Sequence, residues 1–499
     1  MTLEQQLEKL IISESKKLID RYHLYHNNLH QEYLRNQKRF GSATKKIKKP
    51  DYWSIDNKFN PFYVRRKAKS IAKSVAKSIL NQTYKPNQPY IKQIAKDSGG
   101  FRNVTIYQIH DAVVSKLFYY RLLHKNKHRF SSFSYAYRHD RNVQFAIEDI
   151  TVDISDTSRI FIAEFDFSKF FDSISHEYLV KQFNKNGFRI TNEEQFIIKV
   201  FLDNHNGSGI PQGTSISLFL ANLVCWSLDK DFEKEGLRFS RYADDTVVWS
   251  PDYNKICNAF TIINKFSSNA GVKINPKKSD GINLLIEEGL PSEFSEPKTY
   301  IEFLGYAVYI NRVSIKKTSI TKIKKQISYL LYKNLILPLK TEQLKNIVIP
   351  NKEKDEGFLT AILQIRRYLY GGLTEQYLID FLRGKTKRIH FKGVMSFYPL
   401  VNDEEQLKSL DGWLLSTIYR TLKLRAKLLK SHNHNVDNFF PFNVSKEQLL
   451  ELCKIQKVGN NQNLLKIPSF ILIYKALQKG IISSGIEGTM NPKSNRYHY

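Results

Sequence analysis

Residues 241–250, Arg-Tyr-Ala-Asp-Asp-Thr-Val-Val-Trp-Ser, set two adjacent carboxylates between two runs that read as β-strands. Asp244 and Asp245 therefore share the tight turn of a hairpin. Like charges in one small site repel, and they push one carboxyl towards its neutral form. Such a turn either faces water or is built around a cation. Taken alone, the water-facing turn is the commoner arrangement, so the choice depends on what else the chain brings to this place.

A second acid lies upstream. Ile160, Ile162, Phe165 and Phe167 flank Asp166 in a strand-like run, which puts that carboxylate at the end of a buried strand. Ser175 then reads as the N-cap of a helix from His176 to Phe183, with Gly187 past its end. Between the acidic sites, GSGIPQGTSISLFLANLVCWSLDKDF (207–232) is a Gly-rich loop followed by helix-compatible residues. Glycine allows close backbone approach, and a loop ahead of a helix N-terminus suits a phosphate. The order strand-Asp, Gly-loop-helix, Asp-Asp hairpin is far more restrictive than any member alone.

The rest of the chain places these motifs. Its 499 residues are enough for two to four domains or subdomains. Residues 1 to about 95 read as helical and basic, with AKSIAKSVAKSI (68–79) presenting an apolar stripe beside a lysine row. Short strands and helices alternate from about 97 to 310, an α+β pattern. After about 318 the chain is again helical and lysine-rich, and ISSGIEGTMNPKSNRYHY reads as a loose tail. Lys and Arg number 77 against 48 Asp and Glu, a formal +29, which favours a polyanionic partner. No apolar run approaches a membrane span and the first residues do not read as a signal peptide. Three scattered cysteines make neither a zinc spacing nor a disulfide framework. The expected setting is the cytoplasm, with no membrane.

In that order the residues resemble the reverse transcriptases, the RNA-directed DNA polymerases. FDFSKFFDSI, GIPQGTSISLFLANL, RYADD, GVKINPKKS and EFLGY resemble their palm motifs, and SGGFRNVTIYQIHDAVVSKLF and FSSFSYAYRHDRNVQFAI their finger motifs. The resemblance covers roughly residues 95–310 and implies a right-hand polymerase with fingers and palm, flanked by a helical N-terminal region and an α-helical thumb. The implied boundaries are 1–95 for the N-terminal extension, 96–160 with part of 180–205 for the fingers, 161–310 for the palm, 311–481 for the thumb-like region and 482–499 for a flexible tail. Leu218 follows Ser217 where intron and retron enzymes usually carry proline. That departure resembles the bacterial defence-associated, abortive-infection branch.

The resemblance also implies roles. Asp166, Asp244 and Asp245 would be catalytic and would hold two Mg²⁺ ions (or Mn²⁺), with the Phe167 carbonyl as a further oxygen. Phe171 would be a steric gate selecting dNTPs. Arg102, Arg138, Gln212, Gly213 and Lys278 would meet nucleotide or template, with a surface ion pair as the other reading of Arg138. Lys278, or its neighbour Lys277, would protonate pyrophosphate, and Tyr242 would pack beneath the turn. Lys322, Lys324, Lys325, Arg366 and Arg367 would follow a nucleic-acid backbone. The implied partners are an RNA template, such as a non-coding RNA, its DNA product and dNTPs, with a homo-oligomer left open. Three other readings stand beside this one. They are a retron or group II intron enzyme, an RNA-binding scaffold with weak catalysis, and protein-primed or untemplated synthesis from Tyr497 or Tyr499.

Overall fold

The computed structural model describes residues 1–40, 48–95, 99–203, 207–340, 355–455 and 464–490. The chain opens with a 38-residue helix, α1 (Leu3–Phe40), whose first half buries Leu7 and Ile11 against α2 (Ala68–Leu80). In α2 the expected stripe is buried through Ala68, Ala72, Val75, Ala76 and Ile79. Next comes an exposed antiparallel hairpin, β1 (Tyr90–Ala95) and β2 (Phe101–Ile106). Helices α3 (Ile109–Asn126) and α4 (Val143–Ser155) follow.

The central sheet carries the acids. Strands β3 (Arg159–Phe165), β5 (Arg238–Tyr242), β6 (Asp245–Ser250) and β8 (Gly281–Ile286) pair antiparallel in the order β5-β6-β3-β8. Alternation along β3 gives each face a core. Ala163 and Phe165 pack with α5 (Ser215–Val224) and α7 (Tyr253–Ala270). Ile160 and Ile162 pack with α4, Val247 and Trp249 on the other side. Between α5 and α7, helix α6 (Trp226–Lys234) starts after a break at Cys225. The short strands β4 (Phe167–Ser168) and β7 (Lys273–Ile274) pair beyond the sheet edge. A second, three-stranded sheet of β9 (Tyr300–Phe303), β10 (Tyr306–Tyr309) and β11 (Val313–Ile315) leads into helices. These include α8 (Lys317–Leu331), α9 (Glu356–Tyr370), α10 (Glu404–Ser431) and α11 (Phe470–Thr489). No described helix is long and apolar enough to cross a membrane.

Three expected boundaries shift. A limit at residue 95 would cut the β1–β2 hairpin, whose pairing ties Tyr90 to Ile106. A limit at 310 would strip β11 from its sheet, where Val313 pairs with Val308. Residues 482–489, expected to be loose, lie within α11, kinked at Gly485 (φ +68°), and Met490 bridges to Phe391. Glycine, serine and threonine disguise that last turn, and burial of Ile486 and Met490 overrides their weak helix propensity.

Candidate active site

Sheet register brings the acids together. Phe165 pairs with Thr246, so the next residues along, Asp166 and Asp245, lie side by side at the same sheet end. Tyr242 pairs with Asp245 across the β5–β6 turn, leaving Ala243 and Asp244 at its tip. Ala243 adopts a left-handed backbone at φ +63°, which an L residue holds only when its surroundings compel it.

What compels it is Arg241, a residue the motif reading passed over. Its side chain is fully buried on β5. Nε and Nη2 donate to the Asp229 carboxylate of α6 at 2.6 and 2.7 Å, and Nη2 also donates to Ser134 Oγ at 2.7 Å. Nη1 donates to the Ala243 carbonyl at 2.9 Å, which ties the turn to this pair. The backbone of Arg241 also donates to the Phe133 carbonyl and accepts from Tyr135 N–H, so the 133–135 segment extends the sheet edge. A buried arginine beside the acidic turn and a lone aspartate in an otherwise apolar helix face were the available signals.

Asp166 is buried and held from one side. Asn275 N–H donates to its backbone carbonyl at 2.8 Å and Asn275 Nδ2 to Oδ2 at 2.7 Å. Asp166 N–H donates to Ser279 Oγ at 3.2 Å, and Lys278 Nζ stands 3.3 Å from Oδ2. Asn275, like Arg241, was not singled out from the sequence, although it lies in the quoted GVKINPKKS stretch. Burial raises the pKa of Asp244, as does the charge of Asp166, while Lys278 and Arg102 oppose the rise. Asp245 is pushed up to about 7 by the protein packed around it, then by the charge of Asp244 and by a hydrogen bond and charge from Asp166. Part of the Asp245 residue is open to solvent, so its desolvation comes from the turn and the Asp166 side. A cleft of about 730 Å³ opens beside the acids, and Lys298, Glu302, Gly305 and Lys316 line it too.

The donor set fits a divalent cation. Three carboxylates crowd one sheet end, and Lys278 is the cation directly paired there. No three described His, Cys, Asp or Glu side chains form a finished metal cage. Magnesium is commonly held by one or two carboxylates together with substrate phosphates rather than by an all-protein cage.

The other expected residues divide. Phe170 is buried, whereas Phe171 is half-buried with its ring edge-on to Tyr137. Phe167 is buried on β4, paired with Ile274. Arg102 lies exposed on β2, close enough for its charge to act on Asp244. Gln212 accepts from Thr105 N–H at 2.8 Å through its carbonyl, and its side chain donates to Asp172 at 3.3 Å. Gly213 (φ +108°) has no room for a side chain: a Cβ would meet the Thr105 carbonyl at 2.5 Å. The finger backbone, rather than a ligand, therefore demands this glycine. The N-terminus of α5 is likewise engaged, because Ile216 N–H donates to Ser115 Oγ at 2.9 Å.

Two expected arginines are engaged within the protein, Arg138 in the ion pair that was its other reading. Arg138 is spent on the finger loop: it donates to the Ser131 carbonyl at 2.5 Å and makes a two-pronged pair with Asp140 at 2.8 and 3.1 Å. Arg366 is buried and donates to the carbonyls of Leu464 and Lys466 at 3.2 and 2.6 Å, so it ties α9 to the irregular segment ahead of α11, while Arg367 is exposed. Lys322 and Lys325 are exposed on α8, and Lys324 Nζ sits 5.2 Å from the Trp413 ring centroid. Tyr242 is half-buried and packs against both cores. Tyr497 and Tyr499 lie outside the described residues.

Comparison with known families agrees with this geometry. The model of the family described as reverse transcriptase (RNA-dependent DNA polymerase) matches residues 94–308. That segment is a reverse transcriptase domain of mixed α+β fold. The chain that carries it is an RNA-directed DNA polymerase, a nucleotidyltransferase. No curated protein sequence matches the chain. Among solved structures, the chain is similar to a telomerase from Candida albicans in complex with a TWJ fragment of telomeric RNA. The identity is 14%, the TM-score 0.39, and the match covers 74% of this chain and 68% of that one. A telomerase from Candida tropicalis, also with a TWJ fragment of telomeric RNA, is 13% identical with a TM-score of 0.35, over 84% and 64% of the two chains. Likenesses this distant carry no argument about substrate or partner.

Proposed function

We propose that the chain makes DNA from dNTPs on an RNA template, with Asp166, Asp244 and Asp245 holding two divalent cations, Mg²⁺ in the first place. The observation that carries this is the register that sets Asp166 beside Asp245 on the sheet end next to the open cleft. When bound, such ions lower the pKa of the attacking hydroxyl and offset charge on the leaving pyrophosphate. The primer 3′-oxygen forms the new bond to the α-phosphorus, and the bond from that phosphorus to pyrophosphate breaks. Asn275 and Ser279 orient Asp166, and Arg241 sets the turn that aims Asp244 and Asp245. Lys278, beside Asp166, is placed to meet departing phosphate. Half-buried Phe171 is the steric gate against a 2′-hydroxyl, and Arg102 reaches the triphosphate from the fingers.

The biological reading is a cytoplasmic bacterial enzyme of antiphage defence that copies an associated non-coding RNA. The Ser217–Leu218 departure supports it over a retron or intron enzyme. The test is to purify the protein with its bound RNA, supply dNTPs and magnesium, and sequence both strands. DNA complementary to a discrete co-purified RNA is the expected result. DNA unrelated to any bound RNA would replace templated copying with untemplated synthesis.

A further inference from the structure

The lysine row of AKSIAKSVAKSI (68–79) has no part in the site described above. Residues 57–95 around it carry nine basic side chains and no aspartate or glutamate. Arg65, Arg66, Lys67, Lys69, Lys73 and Lys77 lie exposed along the short helix Pro61–Arg66 and α2, which follow one another across Lys67. Among the described residues none of these six forms an ion pair, and none lines the cleft beside the carboxylates. Helix rise sets Lys69, Lys73 and Lys77 about 6 Å apart, on a basic strip about 18 Å long from Arg65 to Lys77.

What else stands on that face narrows the partner. The apolar stripe of α2 is spent inside the protein, against α1 and α3. From Lys67 to Lys77 every exposed residue is a lysine or a serine. A helix that lies on a membrane inserts a free apolar face, and this stretch keeps none. Single-stranded nucleic acid is gripped by aromatic rings that stack on its bases, and no aromatic residue stands among these lysines. Double-helical RNA is recognised mostly by shape and through its backbone, and lysine and serine side chains are common phosphate ligands.

We propose that the exposed face of α2, extended by Arg65, Arg66 and Lys67, docks the backbone of a double-helical part of the RNA that supplies the template, outside the catalytic cleft. That the duplex belongs to the template RNA rests on the polymerase reading above; the duplex contact itself does not. The test uses the full chain as Lys69→Gln/Lys73→Gln/Lys77→Gln, with Lys69→Arg/Lys73→Arg/Lys77→Arg as the charge-preserving control. Each protein is offered a short primed, unstructured RNA template and the same template carrying an RNA hairpin on a flexible single-stranded spacer. Wild-type protein is expected to bind the hairpin-bearing template about tenfold more tightly than the plain one, the glutamine variant to bind the two alike, and the arginine variant to restore the difference. For the isolated hairpin, the slope of log affinity against log salt should fall by about 2 to 3 in the glutamine variant. All three proteins should extend the plain template at the same rate. A glutamine variant that keeps the wild-type preference and salt slope would overturn the docking face. Polyglutamate or phosphatidylserine vesicles bound as tightly as the hairpin, and lost in the glutamine variant, would overturn the choice of partner. Wild-type protein that holds the hairpin through these lysines yet extends no template would sink the polymerase reading and leave the duplex contact standing.

Discussion

Arg241→Met removes the guanidinium that joins Asp229, Ser134 and the Ala243 carbonyl. Both members of the ion pair are fully buried, so the variant strands an unpaired carboxylate. Deleting one partner of such a pair costs about 3–5 kcal/mol. The turn also loses the donor that opposes relaxation of Ala243, a left-handed residue worth about 1–2 kcal/mol of strain. The double variant Arg241→Met/Asp229→Leu separates these effects. With no stranded charge, most of the lost stability should return, since apolar replacement of a whole buried pair is often neutral. Activity should not return, because the Ala243 carbonyl remains unheld, and a displacement of about 1 Å at reacting groups costs about 10²-fold. Urea unfolding gives the first quantity, and single-nucleotide incorporation per folded molecule gives the second. A double variant that recovers both stability and wild-type incorporation would refute the positioning role of Arg241.

Four further outcomes are expected. Asp245 has its pKa raised from 3.8 to about 7, so the folded state holds a proton that the unfolded state has released. In chelator, stability should therefore decline as pH rises from about 4 to about 7, and Asp245→Asn should flatten that slope in urea titrations. Gly213→Ala should push the finger hairpin away and lower kcat/KM with little change in dNTP discrimination, because its Cβ would strike the Thr105 carbonyl at 2.5 Å. Phe171→Ala should raise incorporation of rNTPs relative to dNTPs, read from parallel extension assays; unchanged discrimination would return Phe171 to the core. Arg366→Ala should lower stability by about 1–3 kcal/mol without altering the salt slope of RNA binding, while Lys322→Ala/Lys325→Ala should reduce that slope by about 1–2.

The acidic centre was legible in sequence because its geometry is local. Strand periodicity fixes where Asp166 ends β3, and a two-strand hairpin fixes Asp244 and Asp245. The glycine of PQG was legible as a close approach, but its neighbour was not: Thr105 comes from a hairpin more than a hundred residues earlier. The main-chain partners of Arg138 and Arg366 were hidden for the same reason. An arginine bonded to main-chain carbonyls has no signature in its neighbours: Arg138 stands in polar YRHDR and Arg366 in the largely apolar LTAILQIRRYLY. Arg241 sits inside the quoted motif and still went unremarked, because its partner Asp229 reads as an ordinary helix acid. The partners of α1 were hidden because helical periodicity says which face is apolar, not which distant elements cover it: Glu32 pairs with Lys333 three hundred residues on.

The central claim is that Asp166, Asp244 and Asp245 form a metal-dependent site that copies RNA into DNA. Single-turnover extension of a primed RNA by one complementary dNTP tests it directly, with wild-type protein and folded Asp244→Asn run side by side. The account predicts extension that needs divalent metal, obeys the template base and falls by about 10³-fold in the variant. Wild-type extension by Asp244→Asn, or extension indifferent to metal, would contradict it.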